Sequence, residues 1–112
     1  MGNIPITIAT NDYDRTRAVK DGAVSVDGCD VTYFTMLPEE MFFRAVRYAE
    51  LDVTELSLST HMLQTQRGDA QYLGIPVFLS RVFRHSGFYI RTDRDIASGA
   101  DLKGKTVGVP EY

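Results

Sequence analysis

Along this chain the spacing of apolar residues switches between strand-like and helix-like periods, and each switch marks an element. Ile4 to Thr10 reads as a strand, with Pro5 near its start, where a missing N–H is tolerated. Asn11-Asp12-Tyr13-Asp14 stops it as a turn and cap cluster. Asp14 is expected to cap a short helix to about Asp21, with Gly22 just past its end. After Asp27-Gly28, Cys29 to Met36 predicts a second strand through Val31, Tyr33 and Phe34. Pro38 to Glu50 is the clearest helix, with Pro38 at its start and Glu39 and Glu40 at the positive end of its dipole. Phe42, Ala45, Val46 and Ala49 fall at i, i+3, i+4 and i+7, which predicts one buried stripe. Asp52 to Leu56 is a short strand, and Ser57-Leu58-Ser59-Thr60 supplies N-caps for a third helix ending near Gly68. Three further strands are predicted at Ile75 to Leu79, Gly87 to Arg91 and Thr106 to Val109, with a turn over Asp101 to Lys105.

Strands alternating with helices predict an α/β fold, a mostly parallel sheet flanked by helices. The 112 residues suit one modest domain, and 44% hydrophobic with 24% charged residues is a globular balance. A formal net charge of −3 with scattered positive residues provides no basic field for nucleic acid. Cys29 is alone, so no internal disulfide forms, which fits a reducing compartment. The first ten residues lack a basic start and a long apolar core, and no apolar run approaches ~20 residues. These features predict a cytoplasmic protein without a membrane partner. Metal-ligand spacings and glycine-rich phosphate loops are absent from the sequence, so neither metal nor cofactor is expected.

In an open parallel sheet, ligands bind beyond the carboxyl ends of the strands, where helix N-termini offer unpaired N–H groups. Two such corners are Asn11 to Arg15 and Ser57 to Thr60. A third candidate wall is Arg81-Val82-Phe83-Arg84-His85-Ser86. Arg81 and Arg84 can hold carboxylates in bidentate fashion, although strand alternation would put them on opposite faces. Asp12 and Asp14 repel a dianion but accept hydrogen bonds from phenolic hydroxyls. Histidine is the side chain suited to proton transfer near neutral pH, so His85 can donate a proton. Each assignment has a plain rival: Asp14, Ser57, Ser59 and Thr60 suit helix starts, and charged residues suit a sheet edge. His61 reads as a surface or packing residue, and Cys29 as a small core residue.

Several stretches together resemble the 4,5-dihydroxyphthalate decarboxylases, relatives of the type II periplasmic binding proteins. They are Asp12-Tyr13-Asp14-Arg15-Thr16-Arg17-Ala18, Glu55-Leu56-Ser57-Leu58-Ser59, Gly74-Ile75-Pro76-Val77-Phe78, Ser80 to Ser86, and Asp101 to Tyr112. The last is common to many type II binding proteins, whereas Asp-Tyr-Asp-Arg-Thr and Phe-Arg-His-Ser are more particular to the decarboxylase-like group. The resemblance implies a two-lobed fold with the ligand clamped between lobes, and non-oxidative loss of CO2 from an aromatic dicarboxylate. It implies that residues 1–94 form an incomplete first lobe and residues 95–112 the hinge and first strand of a second. A missing second lobe or a partner chain is then needed to complete the fold, and loose order is expected from about Asp95.

On this reading Asn11, Asp12, Asp14, Arg15, Ser57, Ser59, Thr60, Arg81 and Arg84 bind a small aromatic carboxylate. His85 supplies the proton that replaces CO2, Arg81 or Arg84 holds the remaining carboxylate, and Asp12 or Asp14 accepts from the ring hydroxyls. The competing reading is a non-catalytic solute-binding protein of the ABC-transporter type, which needs the same corners and no chemistry. A gene fragment without function is the third.

Overall fold

A computed structural model describes residues 2–109. They form two compact units, one up to Leu79 and one from Ser80 on.

The first unit is built on three strands, β1 (Ile4–Thr10), β2 (Cys29–Thr35) and β3 (Val53–Thr54), in the order β2-β1-β3. All pairings are parallel: Ile4 lies opposite Cys29, Thr10 opposite Thr35, and Ile8 opposite Val53. Three helices accompany them: α1 (Arg17–Lys20), α2 (Pro38–Tyr48) and α3 (Leu58–Arg67). A 3-10 turn, Asp14–Thr16, leads into α1. The expected α/β fold with a parallel sheet flanked by helices is present. The chain steps from β1 to β2 in one direction and returns past β1 to reach β3. The right-handed rule for such crossovers assigns the intervening helices to opposite faces.

Local chemistry explains where these elements stop. Gly22 (φ 72°) and Gly68 (φ 76°) take the left-handed conformation that ends α1 and α3, as their positions predict. Ala49 (φ 49°) does the same after α2 without glycine's freedom. The buried core consists of Ala9, Met41 and Leu51, with Met36 and Phe42 packed against it. Ala45 is fully buried as well. The stripe of α2 therefore keeps Ala45, and Phe42 in part, from the expected set and adds Met41. Met41 and Ala45 are its buried positions, while Val46 and Ala49 are exposed. The i, i+4 pair fits the face that α2 turns to β1, and a stripe extended to i+7 overshoots the helix end.

Past Thr54 no strand forms among the described residues, so the three later strands are corrected. At Ile75 to Leu79 the chain folds back around Pro76, with the Val77 N–H donating to the Ile75 carbonyl at 2.7 Å. Gly87 closes a 3-10 turn, Arg84–Gly87, and the residues after it belong to no strand. Among the described residues Thr106 to Val109 likewise forms no strand, and Pro110 to Tyr112 lies outside the described residues. Strand propensity requires a ladder partner to become a strand. No helix among the described residues is long and apolar enough to cross a membrane.

Candidate functional site

The order β2-β1-β3 places β2 and β3 on either side of β1, so the carboxyl-end tips of β1 and β3 lie side by side, where an open parallel sheet receives ligands. Asn11 and Glu55 are the first residues past these two strand ends. The Glu55 N–H donates to the Ala9 carbonyl at 3.1 Å and extends the pairing by one step. That pairing brings the two tips together.

Glu55 is the centre of the hydrogen bonding there. Its Oε1 accepts from the Tyr13 hydroxyl at 2.8 Å, and its Oε2 takes a long contact of 3.4 Å from the Asn11 N–H. Beneath them buried Thr10 donates its hydroxyl to the Asn11 carbonyl at 2.8 Å, and Tyr33 Oη lies 2.6 Å from Thr10 Oγ1. Because the Thr10 hydrogen is committed to that carbonyl, Tyr33 is the donor in the second bond. Glu55 did not stand out in the sequence, where it reads as one more residue of a short strand. Only the end of β3 at Thr54 and its pairing with β1 set Glu55 level with Asn11.

The acidic residues of the first corner are engaged by cations. Asp12 Oδ1 pairs with Lys20 Nζ at 3.0 Å. The Lys20 hydrogen bond, and then its charge, hold the Asp12 carboxyl below its ordinary range. Asp14 does not cap the helix from outside, as the sequence suggested. It lies in the first turn, and its carboxylate accepts from the Arg15 N–H at 2.8 Å and from the Arg15 guanidinium at 3.3 Å. Tyr13 is the cap residue by backbone. Arg15 stacks over the Tyr13 ring at 4.5 Å and donates through Nε to the Leu79 carbonyl at 2.7 Å. It therefore braces Tyr13 and the segment before Ser80.

At the second corner Ser57 is the N-cap of α3 by backbone geometry, yet its side chain makes no capping bond. The hydroxyls of Ser57 and Ser59 bond each other at 2.9 Å, and Thr60 is half-buried. The N–H groups of the first helical turn lack intrahelical acceptors. A shallow, mostly apolar hollow lined by Ser59, Met62, Leu63 and Gln66 runs along α3. His61 is half-buried, and its Nε2 lies so near Gly74 that a Cβ there would approach it to 2.8 Å. It is a packing residue, as its sequence position suggested.

In the second unit Arg81, Arg84 and His85 are all exposed. Arg84 and His85 begin the 3-10 turn, so the strand alternation expected for 81–86 does not apply. No cluster of three or more His, Cys, Asp or Glu suited to a metal ion occurs among the described residues.

No protein-family model matches the chain. All 112 residues align with a 4,5-dihydroxyphthalate decarboxylase of Comamonas testosteroni at 51% identity, covering 34% of that protein. They align with one of Pseudomonas putida at 50% identity, covering 43% of it. The chain thus spans well under half the length of these relatives, and from Met1 to Tyr112 it is similar to 4,5-dihydroxyphthalate decarboxylases.

Proposed function

We propose that the chain provides part of the substrate-binding lobe of a carboxy-lyase that removes CO2 from an aromatic dicarboxylate such as 4,5-dihydroxyphthalate. Identity of 51% and 50% over every residue with two such decarboxylases carries this reading. The parallel sheet with its strand tips and the start of α3 at one rim is compatible with a lobe of the type II periplasmic-binding-protein kind. The remaining part of the relatives' length then corresponds to a second lobe, supplied by further chain or a partner.

Chemically, an acid protonates the ring carbon that bears the leaving carboxylate. The carbon–carbon bond then breaks, and its electron pair restores aromaticity as CO2 departs. From 4,5-dihydroxyphthalate the product is 3,4-dihydroxybenzoate. A positioned acid contributes ~10²–10⁴-fold to such a step. His85 is the proposed acid, Arg81 or Arg84 the proposed partner of the retained carboxylate, and Asn11, Asp12, Asp14, Arg15, Ser57, Ser59 and Thr60 the proposed contacts of the first lobe. A hydroxyl para to the reacting carbon donates electron density to it, so an acceptor for that hydroxyl favours protonation.

The test is formation of 3,4-dihydroxybenzoate and CO2 from 4,5-dihydroxyphthalate, by the chain alone and by the chain joined to the remaining part of a relative. Turnover in the joined protein is expected. Its absence, with the relative itself active, would overturn the reading. Unchanged turnover in a His85→Gln variant of the joined protein would remove His85 from its role.

A further inference from the structure

We infer that Glu55 accepts the hydrogen bond of a ring hydroxyl, and so selects hydroxylated aromatic acids over unhydroxylated ones. The inference rests on the decarboxylase reading and deepens it.

Glu55 stands just past the carboxyl ends of β1 and β3, half-buried, where an open parallel sheet receives its ligand. Its carboxylate already holds a phenol, the Tyr13 hydroxyl, at 2.8 Å. A ligand phenol presents the same donor to the same acceptor. The second carboxylate oxygen, Oε2, has only the long 3.4 Å contact from Asn11 and keeps lone pairs for another donor.

Glu55 also differs from the neighbouring acids. Asp12 is paired with Lys20 and Asp14 with Arg15, and both are exposed. No ion pair among the described residues includes Glu55. A carboxylate without a neutralising cation makes the stronger, charge-assisted bond to a neutral hydroxyl. In 4,5-dihydroxyphthalate the hydroxyls occupy the ring edge opposite the two carboxylates. Only the hydroxyl edge then faces Glu55, and the carboxylates point away from its charge. Phthalate would set C–H groups against the same oxygen and offer it no further donor.

The test compares the affinity of the 112-residue chain for 4,5-dihydroxyphthalate and phthalate, by titration of its amide resonances. The hydroxylated acid is expected to bind roughly tenfold more tightly. Glu55→Gln should reduce that ratio to near one, whereas Tyr13→Phe should leave it intact or raise it by removing the competing phenol. If Tyr13→Phe collapses the ratio as Glu55→Gln does, Glu55 acts only through Tyr13 and the inference is overturned. A ratio that persists in Glu55→Gln overturns the inference and leaves the decarboxylase reading standing. Failure of the unaltered chain to bind either acid in the millimolar range overturns the inference too, while turnover by the joined protein still decides the function.

Discussion

Residues up to Leu79 and residues from Ser80 on both carry strand-forming runs, and they use them differently. In the first stretch Ile4–Thr10 lies between two parallel partners and closes over Met41 and Leu51. In the second, Phe88, Tyr89 and Ile90 have the same propensity and are 74%, 90% and 55% exposed. From Ser80 on, no described residue is buried, and Ile96 and Leu102 are only half-buried. Hydrogen bonds there include short-range ones, such as Ser86 Oγ to the Phe83 carbonyl at 3.1 Å. The first stretch instead ties residues 45 positions apart through Thr7 and Asp52. A β-rich sequence becomes a strand when a neighbour takes its N–H and C=O groups.

Core truncation should break this contrast most visibly. Met41 is fully buried in the centre of a small core, so Met41→Ala should cost about 2–5 kcal/mol. Phe83 is 87% exposed, and Phe83→Ala should change stability by less than ~0.5 kcal/mol. Urea melts followed by circular dichroism compare the two. Equal losses would show that the second stretch contributes to the same cooperative unit.

Acid should separate the regions next. Asp52 accepts from the Thr7 N–H and hydroxyl, both at 2.8 Å, and returns a bond from its own N–H to Thr7 Oγ1 at 2.9 Å. The backbone bond first, and then the hydroxyl, lower its carboxyl from the ordinary 3.8. A carboxyl depressed in the folded state adds stability above its unfolded value. That gain fades as pH falls below about 3.8 and through the folded value. Asp101 is lowered similarly, led by backbone bonds from Ser98 and Ala97, but it joins residues at most four apart. Between pH 4 and 2, the amides of Thr7 and Val53 should therefore lose hydrogen-exchange protection together. Those of Ala97 and Ser98 should respond alone. A joint response of all four would remove the distinction.

How much of this was legible follows from which interactions are local. β1, β2, α1, α2 and α3 were readable because their periods and end signals, Pro38, Gly22 and Gly68, act within a few residues. On α2 the expected stripe holds at Ala45 and in part at Phe42 but lacks Met41, which is selected by what β1 presents and not by the helix itself. Ile75 to Leu79 failed as a strand because Pro76 supplies a turn and no donor. At the candidate site, the corners at Asn11 and Ser57 followed from the rule for strand tips. Glu55 emerged only once the order β2-β1-β3 placed it beside Asn11.

A smaller effect tests the layer beneath the candidate site. Tyr33→Phe removes the bond to the buried Thr10 hydroxyl and should cost about 1 kcal/mol. The Thr10 hydroxyl keeps its own acceptor, the Asn11 carbonyl, so no donor is stranded. The amide resonance of Asn11 should shift with the change, while those of Phe83 to Phe88 stay in place. A shift spread over both stretches would contradict the local reading.

The smallest expected effect is a gain, and it sets two backbone positions of equal φ against each other. Ala49 and Asp95 both have φ of 49°, one in each region. For alanine the left-handed conformation costs ~1–2 kcal/mol through crowding of Cβ and carbonyl oxygen. Ala49 accepts it because its N–H, bonded to the Ala45 carbonyl at 3.1 Å, ends α2 there. Glycine would remove the crowding but give the unfolded chain more freedom, which returns ~0.4–1 kcal/mol. Ala49→Gly should therefore stabilise the first region by about 0.5–1 kcal/mol net, read as a rise in Tm. Aspartate tolerates the left-handed region better than alanine, and Asp95 ends no helix. Asp95→Gly should leave Tm unchanged. If Ala49→Gly lowers Tm instead, freedom in the unfolded chain outweighs strain at the end of α2. The position then belongs with the loosely held backbone of the second region and not with the packed first one.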